Sequence, residues 1–195
     1  DGVACTQAWI ADMKFSPSDR QLSVGSHDKK MFTYDLPEVP QSFVLNSTVG
    51  GGSQDGSGWG DEWTKCLSCK PKFVFNKHSS AILHIDYSAD GKYMQTNCQA
   101  YELLFCDANT GKQETSASKL ADYNNSHASV MESEDGEGKQ WGTQTCVLGW
   151  PVQGIWPSGA DGSDINAVDR HHSHKYAATS DDFGQVKIFR YPCVK

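Results

Sequence analysis

No run in this 195-residue chain approaches 18 consecutive apolar residues, so no segment reads as a membrane-spanning helix. Positive charge is scarce too: 17 Lys and Arg stand against 24 Asp and Glu, a net charge of -7. Nucleic-acid binding draws on cations at phosphates, so the composition disfavours nucleic acid as a partner. It equally disfavours simple electrostatic docking onto another acidic surface. Phosphate cradles are missing, with neither GxxxxGK before Ser or Thr nor GxGxxG, and GGGSQDGSG lacks the strand-then-helix setting such a loop requires. No nucleophile, base and oxyanion donor can be inferred together, so no catalytic residue, cofactor or enzymatic activity is expected. The opening DGVACTQAWIADM has no basic n-region, no apolar core and no initiator Met, so it reads as part of a longer protein rather than as a signal peptide. Helical periodicity is absent from every window of a dozen residues.

What is present is an internal repeat. Phe15 to Asp35 (FSPSDRQLSVGSHDKKMFTYD) superposes without a gap on Tyr87 to Asp107 (YSADGKYMQTNCQAYELLFCD), and a looser third copy spans Asp169 to Tyr191. Each copy reads strand, polar turn, strand, turn, apolar strand, which predicts an all-β, radially repeated architecture. The expected strands are 8–15, 22–25 and 31–35 in the first unit, 81–87, 93–97 and 103–107 in the second, and 165–169, 176–179 and 186–191 in the third. Fourth strands are expected at Lys72 to Asn76 and at Thr143 to Leu148, with none left for the last unit.

The blades are therefore drawn at 5–76, 81–148 and 152–195, the last lacking its outer strand. Such a set needs the remaining blades of a larger propeller. Two segments, the Gly/Ser-rich 46–62 and the acidic 114–140, read as mobile insertions between third and fourth strands. They stretch the unit spacing beyond the roughly 40 to 45 residues usual for this repeat type.

Asp28 and Asp182 are placed in the second turn of their units, where a carboxylate can accept backbone hydrogen bonds, and Ala100 has lost that group. Strands end in Tyr34-Asp35, Cys106-Asp107 and Phe189-Arg190 where the WD40 repeat carries Trp-Asp, and His78-Ser79 stands where it has Gly-His. The pattern resembles an atypical WD40 β-propeller. Longer phrases are more specific. GSHDKKMFTYDL, KHSSAILHIDYS, YELLFCDA, TCVLGWPVQGIWPSGADGSDINAVDR and DDFGQVKIFRYPC resemble, in order and wording, the second propeller of the echinoderm microtubule-associated protein-like family. The resemblance implies a non-catalytic cytoskeletal scaffold that binds tubulin, microtubules or axonemal partners, in the cytoplasm or at the cytoskeleton, including the cilium. A WD40 adaptor presenting peptides within another assembly, such as a ubiquitin ligase, is the alternative.

Other chemistry is thin. Cys66 and Cys69 have CxxC spacing but no second ligand pair follows, and His171, His172 and His174 sit in an expected surface turn, so no metal site is expected. The scattered cysteines read as buried free thiols. Trp9 and Trp156 lie in apolar stretches and are expected in the core. Trp150 and Phe183 are the candidate partner-binding aromatics.

Overall fold

A computed structural model describes residues 6–36, 70–124, 140–160 and 165–194. The 46–62 segment, the acidic run at 132–137 and the Cys66/Cys69 pair lie outside these residues.

The first sheet is four-stranded and antiparallel, in the order β1 (Ile10–Phe15), β2 (Gln21–Ser26), β3 (Met31–Asp35) and β4 (Phe73–Phe75). The second repeats it with β5 (Ile82–Tyr87), β6 (Tyr93–Cys98), β7 (Leu103–Asp107) and β8 (Gln113–Glu114). The third has three strands, β9 (Ile165–Arg170), β10 (Tyr176–Asp181) and β11 (Val186–Arg190). Short runs rich in β-branched and aromatic residues, cut by turns, form meanders because no run is long enough to leave its neighbour.

The turns reveal the register of the repeat. Asp19 (φ 55), Gly91 (φ 68) and His174 (φ 56) hold equivalent left-handed positions in the first turn, and Lys29 (φ 71), Tyr101 (φ 60) and Gly184 (φ 71) do so in the second. Closing hydrogen bonds agree: the N–H groups of Ser26, Cys98 and Asp181 donate to the carbonyls of Lys30, Glu102 and Gln185. The third copy is thus Arg170 to Arg190, as gapless as the other two, and begins one residue later than its sequence suggests. Phe183, not Asp182, stands opposite Asp28.

Sheets one and two pack directly. Met31 and Phe75 join Ile82, Ile85, Tyr87, Met94 and Cys106 in one buried cluster, and Gly25 admits this approach, since a Cβ there would lie 3.0 Å from Ile82. Across the interface the Tyr87 hydroxyl meets Ser23 at 2.6 Å, and burial pushes the phenol up to about 12.

Two expectations fail here. Thr143 to Leu148 is not a strand; the fourth strand of sheet two is β8, reached through a tight turn at Gly111 (φ 68), whose missing side chain leaves room for the Phe73 ring. Within 114–140, Ala117–Asn124 forms a helix, α1, which sends Tyr123 back to meet Tyr93 edge-on and Trp141 at a tilt. The acidic insertion thus follows the fourth strand rather than preceding it.

The displaced 143–148 stretch fills the gap between sheets two and three, and a single buried carboxylate holds it. Asp86 accepts hydrogen bonds from Thr143 Oγ1 (2.6 Å), Thr145 N (2.9 Å), Cys146 N (2.9 Å) and Gln95 Nε2 (3.0 Å). Those backbone groups could not pair in a ladder while also serving the carboxylate, which is why the apolar run is not extended sheet. Beyond it a 3₁₀ helix, Trp150–Ile155, supplies Val152 and Ile155 to a second cluster with Ile165, Val168, Ala177 and Cys193.

Burial alone would raise the Asp86 pKa, but these donors outweigh it and hold the carboxyl below its ordinary 3.8. A depressed folded-state pKa gives stability that is present above the unfolded value and lost as pH falls through the folded one. Asp86→Asn should therefore cost about 2–4 kcal/mol at neutral pH. Urea titrations should show the gap to wild type closing towards pH 3. Lys29→Gly, relieving a left-handed Lys, should raise stability by about 0.5–1 kcal/mol with an unchanged denaturant slope.

Candidate interaction surfaces and family

Apolar side chains are left uncovered on the two faces that the described residues do not pack. On sheet one, Met13 and Phe15 point away from sheet two because their strand neighbours Asp12 and Lys14 point towards it, and both are more than half exposed. The Asp12 carboxylate instead reaches across to accept the Ile85 N–H at 2.8 Å. On sheet three, the alternation of β11 turns Phe189 inward onto the second cluster and leaves Val186 and Ile188 about three-quarters exposed (74% and 75%). Tyr176 extends this face from the adjacent strand.

The expected site residues occupy different settings. Phe183 caps the β10–β11 turn with 73% of its surface exposed, as a rim aromatic should. Trp150 is half-buried at the start of the 3₁₀ helix, and Trp156 is half-buried too, its Nε1–H donating to the Val147 carbonyl at 3.0 Å. Trp9 departs from expectation: it is 79% exposed. It precedes β1, where its carbonyl accepts the His27 N–H and its ring lies 5.6 Å from the His27 ring, so no sheet covers it. Among the described residues the buried indole is instead Trp141, stacked on Phe105 at 5.8 Å with its main-chain carbonyl held by Arg170.

Asp28 shapes its turn, accepting the Lys30 N–H and the Thr6 hydroxyl. In the third unit that work passes to Asp181, whose Oδ1 accepts the N–H groups of Phe183 and Gln185 while Oδ2 takes Lys187 at 2.8 Å. Asp182, one residue out of register, bonds the Asn166 amide at 2.6 Å instead. His78 is buried beneath β6, with Nε2 2.7 Å from Thr96 Oγ1. Cys98, Cys106, Cys146 and Cys193 are buried free thiols, as their positions in apolar stretches suggested, and burial pushes the Cys106 thiol up to about 12. His171 and His172 stack on each other in an exposed turn.

Three antiparallel meanders, the first two packed face to face and the third joined through the 143–155 strap, have the form of propeller blades. Residues 2–195 match the family model described as the echinoderm microtubule-associated protein second beta-propeller. The chain belongs to this family. It is 39% identical over 184 residues to echinoderm microtubule-associated protein-like 2 of Rattus norvegicus, across 94% of this chain and 22% of that protein. With the 77 kDa echinoderm microtubule-associated protein of Lytechinus variegatus it shares 34% identity over 180 residues, 92% of this chain and 21% of that one. The chain spans about a fifth of the length of these relatives. In a second propeller of this family, the uncovered faces of the first and third blades have the composition of blade-to-blade contacts. Among the described residues no helix is long and apolar enough to cross a membrane.

Replacing Val186 and Ile188 by Lys should leave the circular dichroism of the isolated chain unchanged, because neither side chain contributes to the core. Sedimentation velocity should show less self-association than wild type, since exposed apolar sheet faces drive association. Equal association in both proteins would mean that this face is not sticky.

Proposed function

We propose that this chain is a non-catalytic part of a WD-repeat scaffold that associates with microtubules, engaging tubulin or axonemal and other cytoskeletal proteins. The observation that carries the reading is the match of residues 2–195 to the second propeller of a family named for microtubule association. The geometry fits it. Blade faces pack against other blades, so contacts with a partner fall to the turns on the rims, which can vary without disturbing the core. Phe183 is such a rim residue, and Trp150 lies at the surface of the segment that joins blades two and three.

Charge gives the contact its character. At a net charge of -7 the chain offers no basic field to an acidic lattice, so recognition rests on shape, aromatic area and polar pairing. Its setting on this reading is the cytoplasmic cytoskeleton, the cilium included.

Co-pelleting of the intact protein with polymerised microtubules tests this. Phe183→Ala should weaken binding about tenfold, the loss of one central aromatic anchor. The contribution of this residue should also change little with salt. Recovery in the supernatant with ligase subunits would instead favour the adaptor role, and undiminished pelleting of Phe183→Ala would move the contact to another rim.

A further inference from the structure

The first turn of each blade has one backbone and two chemistries. The N–H groups of Ser16, Ser88 and His171 donate to the carbonyls of Gln21, Tyr93 and Tyr176, and those of Asp19, Gly91 and His174 donate back to the carbonyls of Ser16, Ser88 and His171, every bond 2.8–3.0 Å. In the first two blades a serine hydroxyl opens the turn and accepts the N–H of Gln21 at 3.0 Å or of Tyr93 at 2.9 Å. Both turns also set an acid beside a cation, Asp19 before Arg20 and Asp90 two residues before Lys92. The third reads Arg170, His171, His172, Ser173, His174, Lys175: five bases and no acid. The fold needs none of these histidines. Ser88, Ala89, Asp90 and Gly91 make the same turn, and glycine enters its left-handed position more readily than histidine does.

The bases crowd together at the surface. His171, His172 and Lys175 are exposed and His174 is half-buried, with the His171 and His172 ring centroids 3.9 Å apart. Arg170 is pinned by the carbonyls of Trp141 and Gly142, each 2.8 Å from Nη2, and lies 5.2 Å from the centre of the Tyr191 ring at the end of β11. These partners are uncharged, so the guanidinium adds its full charge to the cluster. Among the described residues no carboxylate forms an ion pair with any of the five. Burial, then Arg170 and His172, push the His174 imidazole below its ordinary 6.5. The N–H groups of His171, Ser173 and His174 are consumed within the turn, so they offer no backbone nest for a phosphate, and recognition falls to the side chains. The chain as a whole carries a charge of -7, which repels a long polyanion or a broad acidic surface but not a short segment that meets this turn alone.

We propose that the turn from Arg170 to Lys175 is a docking site for a short, carboxylate-rich peptide segment. It stands at the other end of the six-residue β10 from Phe183, about 20 Å away, so it is separate from the aromatic contact and does not rest on it. A carboxylate beside His174 offsets the repulsion from Arg170 and His172, so peptide binding and proton uptake favour each other. Affinity therefore rises as pH falls through the histidine range.

Fluorescence anisotropy of a labelled oligoglutamate peptide with the intact protein tests this. Affinity should be about fivefold higher at pH ~6 than at pH ~7.5, and should fall steeply with added salt. Joint replacement His171→Ser, His172→Ala and His174→Gly installs what the second blade carries, and should remove the pH dependence with the circular dichroism unchanged. Lys175→Glu should weaken binding about tenfold at both pH values, while Phe183→Ala should leave it unchanged. No binding at either pH would overturn the proposal, as would a pH dependence that survives the triple replacement. Loss of peptide binding in Phe183→Ala would overturn it by moving the contact to the opposite rim. Tighter capture of an RNA oligonucleotide of matched charge would overturn it in favour of a phosphate ligand.

Discussion

Everything beyond the second blade hangs on one buried carboxylate. Asp86 lies on the face of β5 turned away from the first blade, and an ionised group there is tolerable only because its lone pairs are filled. The groups that fill them come from residues 143–146, so satisfying the charge and routing the chain are the same event. With that stretch laid against sheet two, Trp141 stacks on Phe105 and Cys146 is buried against the carbonyls of His84 and Gln95. The following turn then delivers Val152 and Ile155 to the third sheet. Between the first two blades apolar side chains from both sheets interdigitate, and polar groups add only single hydrogen bonds, Asp12 to the Ile85 N–H and Ser23 to the Tyr87 hydroxyl.

Much of this was legible in the sequence, and the failures have physical reasons. Nine of the strands follow directly from the repeat, because alternation and turn chemistry are local properties. Lys72 to Asn76 also read correctly as an outer strand. Thr143 to Leu148 did not, since TQTCVL has the composition of a strand and only a distant aspartate diverts it. The third copy looked looser than it is because its turns carry Asp in two adjacent positions, and backbone angles rather than residue types reveal which one matches. Trp9 was expected in the core and is exposed because an apolar neighbourhood in sequence does not say whether a sheet will lie above it.

The exposure of Phe183 was readable because a turn aromatic has no local reason to be buried, whereas Trp150 is half-buried at the head of the 3₁₀ helix. The basic cluster in the first turn of the third blade was not. His171, His172 and His174 read only as surface residues, because their uncharged surroundings are set by the strap and by the end of β11. Comparison between copies of the repeat is the signal that could have found the cluster, since a turn that holds an acid replaced by one that holds only bases is a change of chemistry at constant geometry.

The two blade junctions differ in kind, and this bears on how the ring carries load. The first is a direct contact of tightly packed side chains, which resists shear because any slide opens voids. The second is mediated by a strap of irregular chain that packs apolar side chains onto sheet three but grips sheet two through a handful of directional bonds to Asp86. Hydrogen bonds tolerate small rotations that packed cores do not. A force applied to the third blade therefore reaches the second through the more compliant joint, and strain in the ring gathers beside β9 rather than being shared equally round it.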